Sequence, residues 1–250
     1  MAYGIYISAE GAAAQSTRLE HLSNNMANVG TPGFKRDLAM FQARYSEATQ
    51  RGLDTPGSHT INDIGGGVMI GATKTDYSAG PLKETKVPTD MAIQGDGYFQ
   101  VRRGNQTMLT RAGNFLMTSL GQLTTPDGYS VLDESGEPIV INPDGGQWSM
   151  TPSGSVTQDG NSFNVGIVRP NSTNELAKAG ENLFTSKSTP LPVPPEQRSV
   201  MQGYLEQSGV RPTQELTELI ETERVFEANV NMIHFQDEVL GSLIQSVLKT

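Results

Sequence analysis

The sequence predicts an α+β protein, in which long N- and C-terminal helices form a coiled-coil-like assembly domain beside a central antiparallel all-β domain. Apolar residues recur at every seventh position near both ends of the chain. The middle contains short β-prone runs separated by turn residues. We therefore expect an assembly helix and its following segment at 1–49, a flexible connector at 50–75, the β domain at 76–205 and a second assembly helix at 206–250.

The N-terminal helix is expected from Ala2 to Asn28. It should stop there because Gly30 and Gly33 tolerate left-handed backbone angles and Pro32 cannot continue a helix. The segment 37–49 is compatible with either a helical or an extended piece. The apolar face of the helix is formed by Ile5, Ala12, Leu19, Leu22, Met26 and Val29.

The C-terminal helix has the clearer pattern. It should begin near Pro212, and about 37 residues at ~1.5 Å each would reach ~55 Å. Its main apolar column is Leu219, Phe226, Ile233, Leu240 and Val247, and its second column is Leu216, Val230 and Ile244. Glu223 and Asp237 interrupt the second column, which favours a packing surface with many partners over a simple zipper. Ordinary helices packed on the β domain are the alternative interpretation.

The central region has the features of an antiparallel β domain. β-prone runs such as Met91–Ile93, Tyr98–Val101 and Ile139–Ile141 are separated by Gly, Pro, Asn and Asp. The preceding segment 50–75 contains a glycine triplet and little periodicity, which predicts an irregular connector. The proline-rich stretch 190–195 should be an extended spacer.

Composition excludes several classes of function. A net charge of −9 with a pI near 4.8 argues against binding to nucleic acid or anionic lipid. We expect no membrane insertion because no apolar run is long enough to cross a bilayer. Residues 1–30 lack the pattern of a cleaved secretory signal. With zero cysteines, disulfides and thiolate metal sites are excluded.

Candidate catalytic groups are sparse. The three histidines, His21, His59 and His234, have no metal-ligand spacing, and the glycine pairs and triplet lack the pattern of a phosphate-binding loop. Asp133 and Glu134 resemble a glycosidase pair only in composition, because neighbouring residues on a strand point to opposite sides. The sequence therefore predicts neither an enzyme nor a cofactor.

Five segments together resemble the bacterial flagellar axial proteins that build the rod and hook. They span the chain from residue 15 to residue 229: QSTRLEHLSNNMANVGTPGFKR (15–36), PTDMAIQGDGYFQV (88–101), LTRAGNF (109–115), GYLEQSGV (203–210) and RVFEAN (224–229). The resemblance departs from the family pattern at Gly209, where Asn is usual; both residues tolerate positive φ. Length, the single β region and the absence of large insertions favour a basal-body rod protein over the larger hook protein, and length favours the proximal-rod type. The closely related distal-rod type fits the motifs equally well.

The resemblance implies a structural subunit whose terminal helices form the inner tube of a helical polymer that transmits torque. Its implied partners are further copies, other axial proteins of the rod and hook, and the flagellar type III export apparatus. The implied location is the periplasmic rod of the basal body. The rival interpretation is an oligomeric β-domain module that binds carbohydrate or protein.

Two small sets of residues receive specific roles. Asn24, Asn25 and Asn28 are expected to bridge neighbouring subunits, because amides both donate and accept hydrogen bonds without the desolvation cost of a charge. Phe34 and Leu38 match a loose aromatic-xxx-apolar pattern associated with export recognition in early flagellar substrates. Chance also produces this pattern often.

Overall fold

A computed structural model describes residues 2–55, 57–58, 60 and 65–248 of the chain. It confirms the predicted fold class: a long helix at each end and antiparallel strands between them. The chain forms two compact units. Unit 1 contains the described residues of Met1–Ala27, Arg36–Asp76 and Val210–Thr250, and unit 2 contains Asn28–Lys35 and Tyr77–Gly209.

Unit 1 consists of the two long helices and a β-hairpin. Helix α1 ends one residue before the predicted boundary, and α3 begins at the predicted Pro212 and contains 37 residues. Strands β1 and β2 pair antiparallel with a bulge between Met40 and Phe41. The elements are α1 (Ala2–Ala27), β1 (Asp37–Ala43), α2 (Glu47–Gln50), β2 (Val68–Thr75) and α3 (Pro212–Leu248).

The structure corrects the prediction that residues 50–75 are irregular throughout. Val68–Thr75 is a strand that pairs with Asp37–Ala43. The first part of the segment 37–49 is therefore extended, and its end belongs to the short helix α2. Because the two paired strands are about 30 residues apart in the chain, the local sequence pattern did not reveal the pairing. His59 lies outside the described residues.

Unit 2 contains the central antiparallel strands. Nine of them form one sheet, in the order β14-β15-β6-β5-β9-β8-β7, with β13 also pairing β5 and β16. A second sheet has the order β10-β11-β12, and the pairs β17-β4 and β18-β3 are separate. The strands are β3 (Leu82–Glu84), β4 (Met91–Ile93), β5 (Tyr98–Arg103), β6 (Gln106–Thr110), β7 (Leu116–Met117), β8 (Leu123–Thr124), β9 (Ser130–Val131), β10 (Ser149–Met150), β11 (Ser155–Gln158), β12 (Asn161–Asn164), β13 (Ile167–Arg169), β14 (Leu176–Gly180), β15 (Leu183–Ser186), β16 (Leu191–Pro192), β17 (Val200–Gln202) and β18 (Tyr204–Glu206).

Two predicted segments of unit 2 differ in detail. Residues 139–141 contribute an isolated bridge between Gln122 and Val140 instead of a full strand, because Ile139 and Ile141 bond to separate partners. The proline-rich stretch is extended as predicted. However, Leu191–Pro192 pairs with β13, so this part is an edge strand and not a free spacer.

The core of unit 2 is apolar and continuous. Phe99 and Phe115 pack edge to face with ring centroids 5.2 Å apart, and Met91, Leu123 and Val131 are fully buried around them. A smaller cluster surrounds Phe184. Burying each such side chain contributes about 1.5–3 kcal/mol, so unit 2 has a complete core within the chain.

Candidate assembly surface

Helices α1 and α3 pack against each other in antiparallel directions. Asn25 near the end of α1 bonds to Glu215 near the start of α3, with Nδ2 3.3 Å from Oε2. Arg18 and Glu218 form an ion pair of 3.2 Å in the next turn. Gly11 lies against Asn229, and Gly4 lies against Gln236. Small and polar residues therefore supply the close contacts between the helices.

The main predicted column of α3 lies on the side that faces α1. Leu219, Phe226, Ile233 and Leu240 are half-buried and lie three or four positions from the contact residues Asn229 and Gln236 or from the buried Thr222. The remaining predicted positions divide by burial. Ala12, Leu22 and Asn25 are buried; Ile5, Leu19, Met26, Asn28 and Val230 are half-buried; Asn24, Leu216, Ile244 and Val247 are exposed.

Several large apolar side chains of α3 remain exposed, and most were not predicted as contact residues. Val225 and Met232 are seven residues apart on one flank, and Phe235 follows three residues later with 63% of its surface exposed. The helix also continues past the point where it meets the start of α1. That final segment carries the exposed residues Leu243, Ile244, Val247 and Leu248.

A buried polar cluster ties three elements of unit 1 together. The Asn25 side chain donates to the Asp37 carbonyl and accepts from the Asp37 amide, both at 2.9 Å. Glu215 is 1% exposed and accepts from Arg36 at 3.0 Å. Arg36 also contacts Asp76. Asn25 was expected to bridge subunits, but its amide makes its hydrogen bonds inside the chain.

A second buried cluster lies within unit 2. Lys35 Nζ is 2.6 Å from Glu206 Oε1, and Arg111 lies 3.3 Å from Glu206 Oε2; the Lys35 and Glu206 side chains are each 1% exposed. Lys35 also donates to the Ser78 carbonyl at 2.7 Å. Each oxygen of the carboxylate is paired with one cation, and the carbonyls of Ser78, Ile93 and Gly95 accept further hydrogen bonds from the two cations. The cluster fastens the segment after α1 to the β domain.

The backbone around this cluster is closely packed. Gly33 has φ of 66°, and a Cβ there would lie 2.5 Å from the backbone of Arg111. The Arg111 guanidinium also lies 5.0 Å from the ring centre of Tyr98. Burial raises the pKa of Tyr98 to about 12, and the Arg111 charge partly opposes that shift.

The two residues proposed for export recognition have different environments. Phe34 is buried in unit 2, where Lys178 Nζ lies 4.5 Å from its ring centre. Leu38 is half-buried in β1 of unit 1. Because Phe34 is buried, its recognition by the export apparatus would require the unfolded chain.

Asn28, the third asparagine expected to bridge subunits, accepts a hydrogen bond from Thr31 at 3.1 Å in unit 2.

The remaining candidate chemical groups have structural contacts. Among the described residues, no group of three or more His, Asp or Glu side chains is arranged to hold a metal ion. His21 Nε2 lies 3.1 Å from Thr73 Oγ1 beside a cleft of about 200 Å³ in unit 1. Asp133 accepts two backbone hydrogen bonds within its own turn, and Glu134 pairs with the buried Arg198.

Comparison with known proteins matches three segments of the chain to family models. Residues 5–35 match the flagella basal body rod protein model, 92–161 the D1 domain of the flagellar hook protein FlgE/F/G, and 201–246 the C-terminal model of flagellar basal body rod FlgEFG proteins. None of the described helices is long and apolar enough to span a membrane.

Relatives match over nearly the full chain. The flagellar basal-body rod protein FlgG of Bacillus subtilis (strain 168) is 34% identical, covering 98% of both chains. The chain belongs to the flagellar basal-body rod protein family. FlgG of Caulobacter vibrioides is 35% identical over 95% of this chain and 96% of its own. FlgF of the same organism is 32% identical over 92% of both. The preference for the proximal-rod type stays a prediction.

The buried cluster of unit 2 joins the three segments that match the family models. Lys35, Arg111 and Glu206 come one from each of the three matched segments. The family is structural, which points away from catalysis, and the rival β-domain binding module gains no support from the relatives. All three residues lie within the family-like segments 15–36, 109–115 and 203–210, but no local pattern in the sequence indicates that they pair.

Proposed function

We propose that this rod-family chain is a structural subunit that polymerises through its terminal helices into the helical tube of the flagellar basal body. The observation that carries this proposal is the apolar surface of α3. Val225, Met232 and Phe235 are exposed on a helix whose close contacts with α1 are small and polar. Exposed apolar stripes of this kind are typical of surfaces covered by a partner.

The end of α3 supports the same proposal. The contact of Gly4 with Gln236 implies that about ten residues of α3 extend past the first described turn of α1, or ~15 Å. Their apolar side chains have no covering element in the described part of unit 1. The terminal helices of a further copy, or of another axial protein of the same family, supply matching helical surfaces. The subunit's role is mechanical, without turnover.

Export by the flagellar type III apparatus and a periplasmic position in the rod belong to the same proposal. Membership of the basal-body rod family supports both. We place the export address in residues 2–33, and Phe34 with Leu38 in the segment presented before folding. Asn24, which is exposed on α1, is the best placed of the three asparagines for a contact with a neighbouring subunit.

The proposal is tested with a substitution on the exposed face of α3. Phe235→Asp places a charge where a neighbour should bury an aromatic ring, whereas Phe235→Leu keeps an apolar side chain. We expect the Phe235→Asp strain to be non-motile and to lack the subunit in isolated basal bodies. The Phe235→Leu strain should swim normally. A motile Phe235→Asp strain with the subunit present in its basal bodies would contradict the proposal.

A further inference from the structure

The contacts between α1 and α3 repeat every seven residues along both helices. Gly4 lies against Gln236, Gly11 against Asn229, and Asn25 against Glu215. Each step of 7 or 14 residues towards the end of α1 therefore matches a step of the same length towards the start of α3. Thr222, which is 1% exposed, occupies the position between Asn229 and Glu215 in this series. The apolar column that the sequence suggested is therefore accompanied by a polar column at the same period.

The two glycines of α1 allow this close approach. A Cβ on Gly4 would lie 3.0 Å from Gln236 Oε1, and a Cβ on Gly11 would lie 3.0 Å from Asn229 Oδ1. Both distances are shorter than ordinary van der Waals contact. Glycine is among the least favourable residues inside a helix, so its presence at both positions is explained by the side chain that covers it.

The two amides differ in how they are held. Asn229 Nδ2 donates to the Val225 carbonyl at 3.0 Å, which leaves Oδ1 directed at Gly11. Gln236 Oε1 is buried without a hydrogen-bond partner in the described structure. Polar groups in a helix interface lower its stability but restrict the arrangements that it can adopt.

We propose that Gly4 and Gly11, covered by the amides of Gln236 and Asn229, act together with the contacts of Asn25 and Arg18 to α3 to fix the register in which the two terminal helices pair. A slip of one heptad would place another polar residue of the series over Gly11. It would also separate Asn25 from Glu215 and Arg18 from Glu218. The glycines therefore set the rotational phase and spacing, and the charged contacts select one heptad among the alternatives.

This inference rests on the proposed function, because the register decides which apolar part of α3 remains for neighbouring subunits. A slip of seven residues would change the length of the exposed end by ~10 Å. Subunits with different registers could not present the same surface to their neighbours. A polymer built from repeated contacts requires one register in every subunit.

The register is measured with an engineered disulfide in the full chain, which contains no cysteine of its own. The contacts of Gly4 with Gln236 and of Gly11 with Asn229 place Ser8 level with Met232, which is exposed, and beside the half-buried Ile233 that follows it. Ser8→Cys with Ile233→Cys therefore reports the native register. Ser8→Cys with Leu240→Cys reports a slip of one heptad, since residues 233 and 240 are ~10.5 Å apart along the helix. Mobility of the monomer band after mild oxidation gives the yield, for both the purified chain and isolated basal bodies.

Each reporter pair is combined with Gly11→Ala, Asn229→Ala, both together, or Gly241→Ala. Gly241 is the matched control because a Cβ there meets nothing within 4 Å. We expect Gly11→Ala to reduce the native-register yield at least fivefold and to impair motility. Adding Asn229→Ala should restore the yield to within twofold and recover motility, and Gly241→Ala should leave the native-register yield of the purified chain unchanged.

Two results would overturn the inference: a native yield unaffected by Gly11→Ala, or a loss that Asn229→Ala does not relieve. If Gly11→Ala prevents incorporation completely, the purified chain still gives the disulfide yields and the double variant still gives motility. A third result is that the purified parental chain forms the native-register disulfide while the chain itself is absent from isolated basal bodies. That result would contradict the proposed function and leave the register assignment standing.

Discussion

Unit 2 buries many large apolar side chains against one another, whereas unit 1 buries mostly small and polar ones and exposes more of its large apolar side chains. Phe99 and Phe115 are almost completely covered in unit 2. In unit 1 the closest contacts between helices involve Gly4 and Gly11, while Met232 and Phe235 remain exposed. Because apolar burial is the main stabilising contribution, unit 2 should be stable by itself and unit 1 should gain stability from partners.

The two units also use buried charge differently. In unit 2, Glu206 pairs with both Lys35 and Arg111, one at each carboxylate oxygen, within a closed core. In unit 1, Glu215 joins Arg36 and Asn25 at the place where two helices and a hairpin meet. The adjacent residues Lys35 and Arg36 therefore anchor different units. Each unit therefore has its own buried polar cluster, and the chain passes from one unit to the other between Lys35 and Arg36.

The largest expected effect comes from breaking the cluster in unit 2. Glu206→Leu leaves two buried cations without their carboxylate and should lower the free energy of unfolding of this unit by about 3–5 kcal/mol. Trp148, the single tryptophan, lies in unit 2 and packs against its core, so its fluorescence during denaturation measures the change. Glu84→Ala is the control, because Glu84 is exposed on β3.

The triple variant Lys35→Met, Arg111→Leu and Glu206→Leu sharpens this prediction. Replacing a whole buried ion cluster with apolar residues is often neutral or stabilising, whereas removing one partner is not. We expect the triple variant to recover most of the stability lost in Glu206→Leu. If Glu206→Leu alone behaves like Glu84→Ala, the cluster does not hold unit 2 together.

The next effect concerns where the N-terminal segment can be cut. Deletion of residues 2–27 removes α1 but keeps Lys35, so unit 2 should retain its Trp148 unfolding transition. Deletion of residues 2–35 also removes Lys35 and Gly33, and should cost unit 2 roughly 3 kcal/mol or more. Both deletions should stop export if residues 2–33 carry the address. Immunoblotting of cell fractions measures export. Detection of either truncated chain outside the cytoplasm would contradict the export proposal.

Particular residues show how far the sequence could predict this structure. The α+β class followed from periodicity at the ends and from turns in the middle, and Pro212 marked the start of α3 correctly. The strand Val68–Thr75 was missed because its partner is Asp37–Ala43 and its own glycine and lysine weaken the β signal. Local patterns do not contain distant pairings.

The contact residues of the site were only partly predictable. The apolar residues at every seventh position include Leu219 and Phe226. The polar residues at the same period also face α1: Asn229 and Gln236 lie against glycines of α1, and Thr222 is buried. That second period was present in the sequence and could have been found. The Lys35–Glu206–Arg111 cluster had no such signal, because the partners of Glu206 are 171 and 95 residues away in the chain.

A smaller effect is expected at high pH. Burial raises the pKa of Tyr98 to about 12 from 10.0 in a solvated tyrosine, so the folded state favours the neutral phenol. That contribution, up to about 2.7 kcal/mol, is complete below pH 10 and is lost as pH rises towards 12. Denaturation followed by Trp148 between pH 9 and pH 12 should show this slope, and Tyr98→Phe should remove it.

Tyr6→Phe provides the control for this measurement, because Tyr6 is an exposed residue of α1. It should leave the stability of unit 2 unchanged at every pH. Equal slopes in the parent and in Tyr98→Phe would show that another group causes the loss of stability. Such a result would also weaken the description of unit 2 as a closed core around Arg111 and Tyr98.

The smallest effect is expected where the sequence offered its only candidate for catalysis. Asp133 accepts hydrogen bonds of 2.8 Å from the amides of Ser135 and Glu137, and Glu134 neutralises Arg198. Asp133→Asn with Glu134→Gln preserves the shapes and acceptor oxygens while removing any general acid or base. Glu134 is 38% exposed, so water screens part of the charge that Arg198 loses, and unit 2 should lose about 1–2 kcal/mol. Swimming speed should stay at the parental level. Since hydrolysis of a glycosidic bond needs an ionisable pair flanking the substrate, a non-motile double variant with normal Trp148 fluorescence and normal incorporation into basal bodies would reopen an enzymatic role for the β domain. Normal motility would instead assign Asp133 to holding the turn and Glu134 to pairing with Arg198. Unit 2 would then differ from unit 1 in its stability without a partner, and neither carboxylate would have a catalytic role.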